Sequence, residues 1–203
     1  MDSYKAFGTF YKCNNFICRI KTFLQFGNGS NSIGSIIMLN PGEASFVDKS
    51  IVFDVEEKTG ELIPDKTMKR LAEILQQSNK ELLNGRFHIY NLFPFQHTSS
   101  KNAVKEKQWL IQSYETNKSI IQQFNEEKHP WVLLAWSTEK GSELNRLKEQ
   151  WISAIHDTDI KVFGLKAQGK LMFYHPFPRI QDHKERYFNE IIRQLQNNEG
   201  IVV

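Results

Sequence analysis

The amino-acid sequence predicts an α/β protein, a three-layer α/β/α sandwich with a central, mostly parallel sheet and an N-terminal β-hairpin. Predicted strands and helices alternate along most of the chain, which is typical of layered α/β domains. The inner strands are continuous apolar runs, as expected when helices cover both faces of a parallel sheet. Because 203 residues fit one domain, we assign residues 1–203 to a single unit, with residues 1–30 as its hairpin extension.

Hydrophobic periodicity and turn residues predict the individual elements. Residues 4–24 alternate aromatic or β-branched side chains with polar ones and break at Asn14-Asn15, which predicts a hairpin. Apolar runs predict strands at Ser35–Leu39, Phe87–Leu92, Trp131–Trp136, near Ile160–Phe163, and at Leu171–Tyr174. Helical periodicity predicts helices at Lys66–Leu83, Ala103–Asn125, Ser142–Ile155 and from Asp182 onward. Asp65 can cap the first helix, and Asp182 with Glu185 predicts a capping box for the last.

The composition is that of an ordinary soluble domain, with 40% hydrophobic and 24% charged residues and a net charge of +3. No apolar run is long enough to span a bilayer. The N-terminus lacks a basic region followed by an apolar core, so we expect no secretory signal and a cytoplasmic location. No Cys/His pair has zinc spacing, so we expect neither a metal nor a cofactor.

Polar side chains stand where three of the predicted strands end. The segments are Asn40-Pro41-Gly42-Glu43, Asn91-Leu92-Phe93 and His175-Pro176-Phe177-Pro178-Arg179. Ligands of open α/β sheets bind beyond the carboxyl ends of the strands, so we expect the first and last segments to form the floor of one active site. An asparagine there can orient a water or a base edge, and a histidine can stabilise negative charge on a leaving group. Phe93 has two interpretations, packing in the core or stacking on a base.

Together these segments resemble the motifs of the uracil-DNA glycosylase superfamily, over roughly residues 35–195. Met38 to Gly42 is similar to the asparagine version of the first motif, with Met38 where the superfamily has glycine. Ile89 to Leu92 is similar to the strand that ends in a base-reading asparagine, and His175 to Arg179 is similar to the final His-Pro-Ser-Pro motif. The resemblance implies a glycosylase-like fold and hydrolysis of the N-glycosidic bond of a base flipped out of DNA.

The chain also resembles an uncharacterised family of bacteria and phages. The family pattern runs Leu-Asn-Pro-Ser, Asp-x-Thr-x-x-Arg, Asn-Leu-Phe and a final His-Pro. Here those motifs are Leu39 to Gly42, Asp65 to Arg70, Asn91 to Phe93, and His175-Pro176. The pattern ranks Asp65 first among three carboxylates that could assist the attacking water, ahead of Glu43 and Asp48. Capping of the first helix is the alternative role of Asp65.

The resemblance to the glycosylases implies a role for each matched residue. Asn40 would orient the attacking water, and His175 would donate a hydrogen bond to the leaving base. Phe46 would stack on the base, Asn91 would read its edge, and Arg179 would occupy the gap left in the duplex. Further substrate contacts are expected from Pro41, Gly42, Glu43, Phe93 and Phe177.

The departures from the superfamily pattern point away from uracil as the substrate. Asn40 stands where many members have aspartate, and Phe177 replaces a small serine. We therefore expect a monomeric enzyme acting on a modified base in DNA, with glucosylated hydroxymethylcytosine of phage DNA as the candidate by analogy. One alternative is a non-catalytic nucleic-acid-binding module of the same fold, indicated by the absent aspartate and by seven Lys/Arg against three Asp/Glu from Lys161 to Arg193. Another is a nucleoside or nucleotide N-glycosidase.

Overall fold

The structure is a computed structural model that describes residues 4–13, 16–97, 107–169, 171–178 and 180–201, with side chains in the second helix from residue 113 onward. Its strands are β1 (Tyr4–Cys13), β2 (Phe16–Phe26), β3 (Ser32–Met38), β4 (Ser45–Phe46), β5 (Lys58–Ile63), β6 (Gly85–Asn91), β7 (Trp131–Ala135) and β8 (Lys161–Gly164). Its helices are α1 (Lys66–Ser78), α2 (Lys107–Glu126), α3 (Ser142–His156) and α4 (Gln181–Asn197). The predicted α/β class is confirmed.

The strands form one mixed sheet in the order β4-β5-β1-β2-β6-β3-β7-β8. The pairs β6–β3, β3–β7 and β7–β8 are parallel, and the pairs β4–β5, β5–β1, β1–β2 and β2–β6 are antiparallel. The prediction of a mostly parallel sheet is therefore wrong for the sheet as a whole. The predicted hairpin does form, but it docks antiparallel on β6 and joins the sheet instead of standing apart as an extension.

Helices cover both faces of the parallel part of the sheet. Ile36 and Met38 of β3 lie in a core that packs against α1 and α4. Ile37 and the following Leu39 lie in a second core, on the opposite face, that packs against α2 and α3. Because successive strand residues point to opposite faces, one apolar run supplies both cores. This layering leaves the segment after β3 at the open carboxyl edge of the sheet.

Two predicted helix boundaries were wrong. Helix α1 ends at Ser78 and not at Leu83, because Asn79 takes an extended conformation and donates from Nδ2 to the Leu75 carbonyl at 2.8 Å. Leu82, which lies inside the predicted helix range, is consequently exposed. Helix α4 begins at Gln181 without a side-chain cap, and Glu185 accepts a hydrogen bond from Gln181 instead of closing the predicted capping box.

The strand predictions failed in two places. Leu171–Tyr174 does not form a strand; Phe173 makes only isolated bridges, to Ser137 and to Lys166. Strands β4 and β5 were not predicted, because β4 has only two residues and β5 contains Gly60, which interrupts the apolar alternation. Their pairing extends the sheet beyond the hairpin.

A buried histidine lies at the amino end of the parallel strands, away from the carboxyl edge. The Nδ1 atom of His129 is 2.7 Å from the Ser32 hydroxyl, and its Nε2 atom is 2.8 Å from the Tyr90 hydroxyl. The ring centroid of His88 is 4.9 Å away. Burial and, to a smaller extent, the neighbouring His88 lower the pKa of His129 to about 3. His129 is therefore a neutral hydrogen-bonding group at physiological pH.

We expect His129 to make the fold acid-sensitive. Because its pKa is depressed in the folded protein, the unfolded chain takes up the proton first as the pH falls below about 6.5. The free energy of unfolding should fall by up to ~1.4 kcal/mol per pH unit from this group alone. The pKa of His88 and that of His175 are also lowered, so both act in the same direction.

Urea unfolding between pH 6.5 and pH 5 measures this effect. His129→Asn keeps polar atoms for its neighbours but cannot take up the proton, so its free energy of unfolding should fall less steeply with decreasing pH. Equal slopes for the two proteins would contradict the assignment.

Candidate functional site

A cleft of about 250 Å³ opens at the carboxyl end of β3, and we call it the strand-end cleft. It is lined by Met38, Asn40, Gly42, Glu43, Asp65, Lys66, Thr67, His97 and His175. All three side chains predicted to be catalytic, Asn40, Asp65 and His175, therefore lie around one space. Of the other residues predicted to contact substrate, Gly42 and Glu43 also line the cleft.

Asn40 is held by two backbone carbonyl groups. Its Nδ2 atom donates to the Pro41 carbonyl at 2.9 Å and to the His97 carbonyl at 2.8 Å. The His97 amide donates in turn to the Pro41 carbonyl at 3.3 Å, which ties the two loops together. Since both amide hydrogens are used, Oδ1 is the remaining functional atom, and it accepts no hydrogen bond from the described residues. Asn40 thus provides a fixed acceptor at the cleft.

The ring of His175 has a defined tautomer. Its Nδ1 atom accepts a hydrogen bond from the Phe177 amide at 3.1 Å. Burial lowers the pKa of His175, while the Phe177 hydrogen bond and the negative charge of Asp65 act in the opposite direction. A neutral ring whose Nδ1 is an acceptor carries its proton on Nε2. His175 therefore has an N–H group available for a ligand.

Asp65 combines the two roles that the sequence left open. Its Oδ1 atom accepts a hydrogen bond from the Met68 amide at 2.9 Å, so Asp65 is the cap of α1. Its Oδ2 atom lies 3.8 Å from Nη2 of Arg19. Asp65 is also part of the cleft wall. Capping uses one carboxylate oxygen and leaves the other for the cleft.

Sequence reasoning missed Arg19, which lies beside Asp65, and three residues that line the cleft, Lys66, Thr67 and His97. Arg19 lies on β2, its side chain is fully buried, and none of its guanidinium nitrogens hydrogen-bonds to a described residue. Burial lowers the pKa of Arg19 to about 10, while the negative charge of Asp65 acts in the opposite direction, so the guanidinium stays charged at neutral pH. The available signal was an arginine inside a predicted hairpin strand whose other residues are mostly apolar. A buried charge of this kind is retained only where it has a partner.

Gly42 is required by the position of Asp65. A Cβ atom at Gly42 would lie 2.6 Å from Oδ2 of Asp65. We expect Gly42→Ala to displace that carboxylate and to lower the free energy of unfolding by about 1–3 kcal/mol, the usual cost of overpacking. Chemical denaturation measures the change. The neighbouring exposed variant Glu43→Ala should stay within about 0.5 kcal/mol of the wild type; equal effects of the two variants would contradict this explanation.

Two predicted base contacts, Phe46 and Asn91, are not at the cleft. Phe46 is 3% exposed and packs in the core, with its ring centroid 4.8 Å from that of Phe10. It cannot stack on a ligand in this position. Asn91 is 5% exposed and lines a small cavity together with Arg19, and its Oδ1 atom has no hydrogen-bond partner among the described residues. The prediction that Asn91 reads a base edge is therefore not supported by its position.

The remaining predicted contacts have different roles from those expected. Phe93 is a core residue stacked on Phe95, with ring centroids 4.3 Å apart, which decides between its two interpretations. Pro41 contributes its carbonyl to the Asn40 clamp. Phe177 acts on the site through its backbone amide, since its ring lies outside the cleft wall. Arg179 lies outside the described residues.

A surface groove of about 770 Å³ lies between α2 and α3. Two surface ion pairs lie along it, Glu115 with Lys118 at 2.7 Å and Arg146 with Glu143 at 3.5 Å. It brings no buried ionisable group together with a free polar atom, so the strand-end cleft is the better candidate for chemistry.

Neither a metal-binding group nor a membrane-spanning helix is found among the described residues. They contain no group of three or more His, Cys, Asp or Glu that could hold a metal ion. None of the described helices combines the length and the apolar character needed to span a membrane.

Comparison with known protein families shows which family the chain belongs to. The family described as "Protein of unknown function (DUF1643)" matches residues 27–177, which is most of the chain, and the protein belongs to this family. No curated protein and no solved structure matches the chain significantly. The matched range includes every residue of the strand-end cleft.

Proposed function

We propose that this member of the DUF1643 family is a monofunctional DNA glycosylase, which hydrolyses the N-glycosidic bond of a modified base and leaves an abasic site. The observation that carries the proposal is the convergence of Asn40, Asp65 and His175 on one cleft. An acceptor, a carboxylate and a neutral N–H donor are the groups needed to place a water on one side of a sugar and to stabilise a departing base on the other.

The reaction follows from these three groups. The Oδ1 atom of Asn40 orients a water, and the carboxylate of Asp65 takes a proton from it as the oxygen bonds to C1′ of the sugar. The bond from C1′ to the base nitrogen breaks, and the electron pair leaves with the base. The Nε2–H group of His175 donates a hydrogen bond to the developing anion. A neutral histidine suits this role, because it donates without first having to acquire a proton.

The parallel strands β6, β3, β7 and β8, with helices on both faces, support a relationship to the uracil-DNA glycosylase superfamily. The Asn40 and His175 motifs add to that support, since they follow β3 and β8 as the superfamily order requires. The substrate we propose remains a modified base in phage DNA, with glucosylated hydroxymethylcytosine as the first candidate.

Release of bases from natural phage genomes tests the proposal. The full-length protein is incubated with phage DNAs that carry different modified bases, abasic sites are revealed by alkaline cleavage, and released bases are identified by mass spectrometry. We expect abasic sites and one free modified base, and neither with Asn40→Ala. Folded protein that yields no abasic site on any of these DNAs would disprove the glycosylase. Turnover of free nucleosides without competition from duplex DNA would indicate a nucleoside N-glycosidase instead.

One observation favours a second function, a nucleic-acid-binding module without catalysis. The Asn40 side chain clamps two loops through the Pro41 and His97 carbonyls, which is a structural role in itself. A module of this kind would bind DNA in a salt-dependent manner and would keep that binding in His175→Ala, while no base is released. Measurement of DNA affinity at two salt concentrations, beside the base-release assay, distinguishes the two functions.

A further inference from the structure

A second space adjoins the strand-end cleft, and we call it the side chamber. It has a volume of about 360 Å³ and is lined by Gly42, Glu43, Ala44, Ser45, Phe53, Gln96 and His97. Gly42, Glu43 and His97 line both spaces, so the two share a wall. The strand-end cleft and the side chamber are therefore adjacent.

Phe53 is the aromatic residue of the side chamber. It is half-buried, and its ring stacks on Phe46 with centroids 5.8 Å apart and an interplanar angle of 29°. Its centroid is also 5.3 Å from that of the buried Phe10. Phe53 is thus the outermost ring of a three-ring aromatic cluster, supported from beneath by core side chains. A ring held in this way loses little conformational freedom when a planar ligand stacks on it.

Gln96 presents an oxygen to the side chamber. Its Nε2 atom donates to the Gly42 carbonyl at 2.8 Å and to the Ala44 carbonyl at 3.0 Å. Both amide hydrogens are therefore used, and Oε1 accepts no hydrogen bond from the described residues. The carboxylate of Glu43, on the shared wall, is a further acceptor. The Ser45 hydroxyl is 3.2 Å from Nζ of Lys49, which donates to it.

We propose that the side chamber binds the target base, which stacks on Phe53 and donates its exocyclic amino group to Oε1 of Gln96. The fixed acceptor favours a base with an amino group on its far edge, as in cytosine, over one with a carbonyl there, as in uracil, because two acceptors repel. In a cytosine ring the amino group lies opposite the glycosidic nitrogen. The sugar can then lie in the strand-end cleft beside Asn40, with the O2 carbonyl oxygen of the base, next to the glycosidic bond, facing His175. This assignment rests on the proposed function for the orientation of the nucleotide.

Binding of uncleavable DNA tests the side chamber separately from catalysis. Two duplexes carry one unpaired 2′-fluorinated nucleotide, cytidine in one and uridine in the other, and are otherwise identical. Fluorescence anisotropy gives the Kd of each for the wild-type protein. We expect the cytidine duplex to bind at least 5-fold more tightly, and equal affinities would overturn the assignment of Gln96.

Variants separate stacking from amino-group recognition. Phe53→Ala should weaken binding of both duplexes by about 5–150-fold, the range expected for loss of one base stack, and Phe53→Trp should restore it. Gln96→Met should make the affinities for the cytidine duplex and the uridine duplex equal. Val52→Ala, an exposed neighbour on the same segment, is the matched control and should bind like the wild type.

The outcomes distinguish the inference from the proposed function. A cytidine preference that depends on Phe53 and Gln96 supports the side chamber even if no base is released from any DNA. Normal base release with Phe53→Ala binding like the wild type would overturn the side chamber and leave the glycosylase intact. If Gln96→Met does not fold, as judged by its thermal unfolding, two measurements still test the side chamber. They are the comparison of Phe53→Ala with Phe53→Trp and the preference of the wild-type protein for the cytidine duplex.

Discussion

His175→Ala is expected to reduce the rate of base release by about 100–1,000-fold while leaving DNA affinity nearly unchanged. The neutral Nε2–H group would act on charge that develops only as the glycosidic bond breaks, so its loss raises the barrier without weakening the ground-state complex. Single-turnover rates at saturating protein measure the chemical step directly. His175→Gln retains an N–H donor and should recover part of the rate.

The matched control for His175 is His183→Ala. His183 is an exposed histidine on α4 that does not line the strand-end cleft. Its replacement should leave the rate within about twofold, since surface substitutions away from a site have small effects. Equal losses in the two variants, or a His175→Ala protein with the full rate, would remove His175 from the reaction.

The sequence predicted the strand-end cleft because its parts depend on local patterns. Asn40 follows an apolar strand directly, and Asp65 precedes a helical pattern, so the position of each follows from the element beside it. His175 was expected to follow a strand at Leu171–Tyr174 that does not form, but β3 and β8 end at the same edge of the sheet, and the chain after β8 brings His175 to Asn40 although 134 residues separate them. This part of the prediction did not depend on knowing how strands that are distant in the chain pair with one another.

Arg19 could not be predicted, because its position depends on how the hairpin docks and twists. The β1–β2 register shifts between Phe7 and Thr9, and Lys21 has a φ of 48°. Such a bulge turns the following side chains to the opposite face, so simple alternation along β2 does not tell which residues point inward. The contact with Asp65 further depends on the place of the hairpin between β5 and β6 in the sheet, which the sequence did not indicate.

The sequence also could not show that Phe53, and not Phe46, is the ring at the side chamber. The sequence favoured Phe46 because it follows the first motif closely. In the structure Phe46 belongs to β4, pairs with Leu62 of β5, and turns its ring into the core. Phe53 then covers it from outside. A two-residue strand has too short a pattern to be read from sequence, so the order of the two rings appears only in three dimensions.

Asp65→Ala is expected to lower the free energy of unfolding by about 3–5 kcal/mol, the cost of leaving a buried charge unpaired, with about 1 kcal/mol more for the lost helix cap. Arg19 is fully buried without a hydrogen bond to the described residues, and Asp65 is the carboxylate beside it. Arg19→Met should cost far less, because it removes the buried charge itself and leaves Asp65 at the cleft, where water can solvate its free oxygen. Replacing Asp65 and replacing Arg19 should therefore lower the free energy of unfolding by strongly different amounts.

A double-mutant cycle with urea denaturation decides this point. In the Arg19→Met background, Asp65→Ala should cost only the cap, about 1 kcal/mol, because no buried charge remains to be compensated. Asp65→Asn keeps an oxygen for the Met68 amide but removes the negative charge. With Arg19 unchanged, this variant therefore measures the loss of the charge without the loss of the helix cap. Equal and additive effects of Asp65→Ala and Arg19→Met would mean that the two side chains are not electrostatically coupled. If the cycle shows coupling while Arg19→Met also slows base release, Arg19 is a positioning residue that holds the Asp65 carboxylate toward the attacking water.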